Sequence, residues 1–262
     1  KGKLLPAELR EFLNLKNVSK AGGSIDLDLN FTGRPGKKDS YKFADVFSLN
    51  SRSKAVFNSV GISLIDNHID IHDVNGSLLM DENTTTDNFR MTLNKHGIVL
   101  SGKFMNFPGW LAGCPVTLSG SADVSASSLR PELFMKEPAV TEEKGKTVAA
   151  KAPVTLPDDV NLEVSFSFDT LIYKTFNARD ITGTLSLRPK QMNFRTISLN
   201  SQKGHISGNG LVVQNRDKSF IGRGSFALTG VDVNEAFTSF HNFGQGFLKA
   251  ENLAGLLTGN IT

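Results

Sequence analysis

Asp73-Val-Asn-Gly76-Ser-Leu78 and Asp180-Ile-Thr-Gly183-Thr-Leu185 begin two copies of one block, and that repetition decides the fold class. The first copy runs on through Phe89-Arg90, Leu93-Asn94, Gly97-Ile98 and Ser101-Gly102-Lys103. The second runs on through Phe194-Arg195, Leu199-Asn200, Gly204, Ile206 and Ser207-Gly208. Each then passes a Gly-Ser pair, Gly120-Ser121 or Gly224-Ser225, into an alternating apolar strand. A third start, Asn252-Leu-Ala-Gly255-Leu-Leu257, is cut off by the end of the sequence. A repeated strand-and-turn unit builds an extended sheet by stacking its copies.

Around these blocks the strand pattern is dense. Val160, Leu162, Val164, Phe166 and Phe168 alternate with Asn161, Glu163, Ser165, Ser167 and Asp169. Ile25, Leu27, Leu29 and Phe31 alternate with Asp26, Asp28 and Asn30. Period two means a strand with one wet face. Further strands are expected near 41–49, 54–64, 67–72, 76–80, 88–94, 97–104 and 115–125, although Arg52 to Asn58 reads equally as loop. In the second block they are expected near 171–178, 181–188, 191–200, 203–214 and 219–231, with turns at Arg188-Pro-Lys190 and Asn215-Arg-Asp-Lys218.

Helices are few. Pro6 to Leu13 reads as a short one, with proline in its first turn. Phe107-Pro-Gly-Trp-Leu-Ala-Gly113 predicts a short turn packed on the sheet, and Leu129 to Phe134 a helical turn. Asp232-Val-Asn-Glu235 resembles a capping box. The helix it opens carries Ala236, Phe237, Phe240 and Phe243 on one side, stops at Gly244, and leads to a final strand from near Phe247. Residues 135–157 are charged, Ala-rich and Pro-broken, with almost nothing to bury, and predict a mobile linker or loop. The expected organisation is a first β block over 1–134, the linker, and a second β block over 158–262.

Composition narrows the function. The 262 residues allow one large or two small cores. A net charge of +3, with no dense basic run, gives nucleic-acid binding little support. No stretch approaches the roughly 18 apolar residues of a spanning helix, and no signal peptide is visible. The sequence begins Lys-Gly-Lys and stops inside a repeat, so it reads as a piece of a longer protein. Cys114 is the one cysteine, which rules out an internal disulfide and a four-thiolate zinc site. A buried small hydrophobe is its expected state.

Catalytic and metal patterns fail on spacing. On a strand His68 and His72 stand about 13 Å apart, too far to share a metal. Ile71 to Glu82 imitates a calcium loop at Asp73, Asn75, Gly76 and Glu82, but an isoleucine holds its first position; a turn is the plainer reading. Gly33-Arg-Pro-Gly-Lys-Lys-Asp-Ser40 has the wrong glycine spacing for a phosphate loop, and no helix follows it. His96, His205 and His241 lack partners in any catalytic pattern. No metal, cofactor or enzymatic activity is expected.

The apolar faces carry the sharper reading. They seal a closed core, or they leave a curved trough for lipid. The expected lining residues are Leu27, Leu29, Phe31, Leu78, Leu93, Leu100 and Leu118 in the first block. In the second they are Leu162, Val164, Phe166, Phe168, Leu185, Leu187, Phe194, Leu199, Leu211, Val213, Phe226 and Leu228. Nineteen Phe against two Tyr and one Trp suit either reading, because Phe brings no polar atom to satisfy.

The second block is similar to a known family. Val160-Asn-Leu-Glu-Val-Ser-Phe166 resembles the strand that opens the C-terminal region of AsmA-family envelope proteins. Leu171-Ile-Tyr173-Lys-Thr-Phe-Asn-Ala178-Arg-Asp180-Ile-Thr-Gly183-Thr-Leu185 looks like the stretch that follows it. Leu199-Asn, Gly204 and Ser207-Gly-Asn-Gly210 are similar to the next strand pair, and Gly230-Val-Asp-Val-Asn-Glu-Ala-Phe237 to the strand-to-helix junction. The match covers 158–262 and extends more weakly, through the repeat, over 60–130.

The resemblance implies a periplasmic protein of Gram-negative bacteria, related to TamB and to bridge-like lipid transfer proteins. Its parent would be anchored in the inner membrane and carry phospholipid toward the outer membrane. The expectation is therefore a mainly β fold of repeated antiparallel strands in a strongly twisted, curved, groove-like sheet with a few short helices. Its partners would be phospholipid or another lipid. A scaffold that pairs its sheet edges with outer-membrane assembly proteins is the alternative. A carbohydrate-active enzyme would instead need two carboxylates converging in a cleft.

Overall fold

In a computed structural model the described residues are 1–12, 18–30, 32, 52–64, 70–111, 113–130 and 155–262. Their strands form one open, mostly antiparallel sheet of thirteen members, ordered as they occur in the chain. The first seven are β1 (Gly2–Leu4), β2 (Val18–Asp28), β3 (Ser53–Leu64), β4 (Asp70–Met80), β5 (Thr84–Leu93), β6 (His96–Met105) and β7 (Leu118–Ala126). The rest are β8 (Val160–Tyr173), β9 (Phe176–Arg188), β10 (Gln191–Ser201), β11 (Gly204–Gln214), β12 (Phe220–Asp232) and β13 (Leu256–Ile261). Three short α-helices accompany them among the described residues: α1 (Pro6–Phe12), α2 (Phe107–Leu111) and α3 (Val233–Ser239). The strand expected near 41–49, the loop over 33–40 and most of the linker lie outside the described residues.

Tight turns explain the uninterrupted chain order. Asn94 and Lys95 join β5 to β6 with φ of 46° and 75°, and Gln202 and Lys203 join β10 to β11 with 44° and 60°. Two positive φ angles in a two-residue loop match the right-handed twist of flanking strands. Pro189 and Lys190 (φ 56°) turn β9 into β10. Of residues 52–58, readable as loop, all but Arg52 form the start of β3.

The repeat signature has a different role from the expected turn. Asp73 and Asp180 both have φ 52°, but each sits inside a strand as the left-handed residue of an irregularity. The described part of 67–72, from Asp70, and the stretch 76–80 are accordingly joined in β4. In the first unit such irregularities recur on successive strands, at Gly23, Ser59, Asp73 and Asn88, each where the pairing register shifts. An extra residue in one strand strengthens local twist and leaves backbone groups unpaired. Side chains satisfy them: Asn75 Oδ1 accepts from the Ser59 amide at 2.9 Å, and Ser101 Oγ from the Asn88 amide at 3.0 Å.

Contacts divide the chain into two compact units. Among described residues the first comprises 1–127, 157–167 and 184–189, and the second 128–130, 155–156, 168–183 and 190–262. The division thus runs through β8 and β9 as well as through the chain before and after the linker stretch. In the first unit Val60, Val74 and Phe89 form one buried cluster, with Phe57 meeting Phe89 edge-on at 5.2 Å. Phe104, Leu118 and Ala122 form another, covered by Phe107 and Trp110 of α2, as the packed turn at 107–113 requires. Trp110 Nε1 donates to Asp159 at 2.7 Å.

In the second unit half of the capping box is present: Asp232 caps α3 and accepts from the Glu235 amide at 3.1 Å, but the Asp232 amide donates to the Gln202 carbonyl and Glu235 turns to Lys203 instead. The helix ends at Ser239, however, rather than at Gly244, because residues 241–244 turn left-handed. The last strand begins at Leu256 rather than near Phe247.

Candidate functional site

Cross-strand register tells which side chains share a face. In the first unit Leu27, Ala55, Leu78, Thr86, Gly102 and Ala122 pair in one row across β2 to β7. The next row, Asp28, Lys54, Leu79, Thr85, Lys103 and Ser121, points to the other side and is polar apart from Leu79. Leu93 pairs with Ile71, and Leu100 with Phe89 and Val124, on the apolar side. Leu162 and Val164 pack beside Leu118 on the second buried cluster. Ser186 and Arg188 both reach the Glu163 carboxylate, at 3.0 and 2.6 Å. Alternation therefore puts Leu185 and Leu187 on the side of Leu162 and Val164.

In the second unit Leu199, Ile206 and Leu228 pair directly. Phe226 faces Gly208, and Phe194 faces Gly210, on that same side. Leu211 and Val213 do not join them: they pair with Asn193 and Arg223, and with Gln191 and Ile221, on the opposite side. The apolar side of β11 is Ile206, Gly208, Gly210 and Val212. Its two glycines blank the alternation that would have revealed it. Gly208 is required there because a Cβ on it would stand 2.7 Å from the Phe226 ring, whereas Gly210 has ordinary room.

Exposure separates these residues further. Leu118 and Phe166 are buried, at 6% and 8%. The other described candidates, Leu27, Leu29, Leu78, Leu93, Leu100, Leu162, Val164, Phe168, Leu185, Leu187, Phe194, Leu199, Leu211, Val213, Phe226 and Leu228, are half-buried. Phe31 lies outside the described residues. Among the described residues no second sheet lies on either unit's apolar side.

A polar cavity in the second unit escaped the sequence reading. Its volume is about 980 Å³, and Arg179, Asp180, Asn200, Lys203, His205 and Glu235 help line it. Asn200 donates to Asp180 at 3.0 Å and meets His205 Nδ1 at 3.0 Å. Asn200 and His205 stand opposite the Leu199–Ile206–Leu228 row, so their only signal was the polar half of an alternating pattern, while Lys203 comes from the β10–β11 turn and Glu235 from α3. Lys203 Nζ holds two carboxylates, Asp232 at 3.0 Å and Glu235 at 2.8 Å.

Hydrogen bonds to Glu235 and Asp232 push the Lys203 ammonium up from 10.5 to about 12. The Lys203 hydrogen bond holds Asp232 below its ordinary 3.8. The carboxylate's stabilising share stands above about pH 3.8 and is lost as pH falls through its lower folded value. The ammonium's is complete below pH 10.5 and is lost as pH rises through about 12. With the cation between them, the two carboxylates form a structural clamp rather than an acid–base pair. Asp232→Ala should lower the melting temperature at neutral pH and flatten its decline toward acid, as thermal melts of both proteins would record.

The remaining chemical motifs separate in space. His72 Nδ1 lies 2.8 Å from its neighbour Asp73, while His68 is outside the described residues. Residues 71–80 are extended, so Asp73 and Glu82 cannot close a calcium loop. Among the described residues no three His, Cys, Asp or Glu side chains converge as a metal site would need. Cys114 is a free thiol, half-buried rather than sealed. No described helix is long and apolar enough to cross a membrane. Comparison with family models, curated proteins and solved structures returned no match.

Proposed function

We propose that this chain is a non-enzymatic segment of an AsmA-like envelope protein, holding or conducting phospholipid acyl chains on its apolar sheet face in the periplasm. The parent would be anchored in the inner membrane, with the lipid bound for the outer one. One observation carries the reading. Leucine and phenylalanine side chains line up on one side of an open sheet in each unit, yet most of them are only partly buried. A closed core would bury them.

The magnitudes favour lipid as occupant. Each methylene taken out of water is worth about 0.8 kcal/mol, so a chain of about 15 costs on the order of 12 kcal/mol to expose. An apolar strip lets that chain move without meeting water, while the headgroup stays solvated. Native mass spectrometry of the gently purified chain should find bound phospholipid. Leu228→Asp, at a half-buried position, should keep a cooperative melt and lose most of that lipid. A lipid-free wild-type chain would sink the proposal.

A scaffold role has one observation in its favour. Every residue of β13 is exposed, leaving a sheet edge free to pair. A lipid-free preparation that still captures an outer-membrane β-barrel assembly component would select this reading.

A further inference from the structure

The loop after α3 presents apolar side chains outward from a well-bonded frame. Phe243 is 59% exposed, Phe247 82%, Phe240 46% and Leu248 44%. Single exposed hydrophobics are ordinary on a protein surface, but four within nine residues make a patch. The backbone beneath them is tied down. Gln245 Oε1 accepts from the Phe247 and Leu248 amides at 3.0 and 2.8 Å, and its Nε2 donates to the Leu248 carbonyl. Asn242 Oδ1 accepts from the Ala250 amide at 2.9 Å, and Asn234 donates to the Ala250 carbonyl at 2.6 Å. The rings are linked as well: Phe176 to Phe240 at 5.5 Å, Phe240 to Phe243 at 5.3 Å, and Phe243 to Phe237 at 5.1 Å.

Such a loop suits one environment. Amide side chains already satisfy much of its backbone, which lowers the cost of leaving water. From Ala236 to Ala250 it contains no Asp or Glu, and its ionisable groups are His241 and Lys249. Lys249 lies 3.7 Å from Glu251, at the base of the loop, and is half-exposed. Apolar tips, no carboxylate among them and a cation behind complement the apolar interior and anionic headgroups of a bilayer.

The geometry points to the loop Phe240–Lys249 as a membrane-contact element, with Phe247 and Leu248 entering the surface of an anionic bilayer. This contact is independent of any acyl chain on the sheet face, and either can fail alone. The test is flotation of the full chain with vesicles of phosphatidylethanolamine and phosphatidylglycerol. Wild type should float. Phe247→Ser with Leu248→Ser should bind at least about tenfold more weakly, with an unchanged melt because both side chains point outward. Phe247→Trp should gain blue-shifted emission on vesicle addition, quenched by brominated acyl chains beyond any change in Trp110. Equal flotation of the double variant, or an unquenched Trp at 247, would overturn the inference. So would wild type that self-associates through this patch and ignores vesicles, which would mark a contact between copies instead.

Discussion

Phe166→Asp should leave the first unit without a cooperative unfolding transition. Phe166 is 8% exposed, on the strand whose neighbouring apolar positions, Leu162 and Val164, pack against Phe104, Leu118 and Ala122. Truncating a buried phenylalanine costs about 3–5 kcal/mol. Aspartate adds the desolvation of a buried carboxylate, several kcal/mol more unless it is protonated. The sum reaches the whole stability of an ordinary domain, about 5–15 kcal/mol. Circular dichroism melts would show a flat or strongly shifted profile. A folded variant with a wild-type midpoint would mean that β8 opens to solvent at this position. Leu228→Asp is the contrasting case, since its side chain is only partly buried.

Gly76→Val should be nearly as damaging, for a reason that lies in the backbone. Gly76 has φ +143°, where a side chain is strained. A Cβ there would stand 2.8 Å from Phe89 Cδ2 and 3.0 Å from Phe89 Cα. The ring could rotate, but the Cα belongs to the paired strand and cannot retreat. Strain and overpacking together suggest a loss of about 3 kcal/mol or more, read as a lower denaturant midpoint in urea. Gly222→Ala is the control. A Cβ at Gly222 meets nothing within 4 Å, so the midpoint should barely move. Equal effects at both positions would show that the Gly76–Phe89 contact is not what the repeat preserves.

The same contact explains how far the repeat could be read. Asp73 to Gly76 and Asp180 to Gly183 were visible as matching strings, and Phe89 and Phe194 as matching phenylalanines. Nothing in the strings says that the aspartates bend a strand rather than end one. Both choices use a residue tolerant of positive φ, and only the pairing partner distinguishes them. The linker alone does not mark the division between the units, for a related reason. Composition reports where chain lacks apolar residues, whereas contacts follow the ladder of hydrogen bonds.

The loop at 240–249 was misread in a different way. Phe237, Phe240 and Phe243 keep helical spacing, so a longer helix followed naturally. The left-handed φ angles of His241, Asn242 and Phe243, 51°, 54° and 53°, end it early. Asn242 and Gln245 then spend their amides on the loop backbone.

Alternation, tight-turn pairs and the repeated block were enough to establish a mainly β chain of consecutive antiparallel strands, because each rests on neighbours within a few residues. Which apolar side chains share a face was not available there. One extra residue at a bulge reverses the side on which every later residue of that strand falls, and glycines erase the pattern where a ring from the next strand lies across them. Exposure is equally non-local: Phe166 and Phe168 are alike in sequence pattern, yet one is buried and the other half-exposed, since burial depends on what distant strands bring over each side chain.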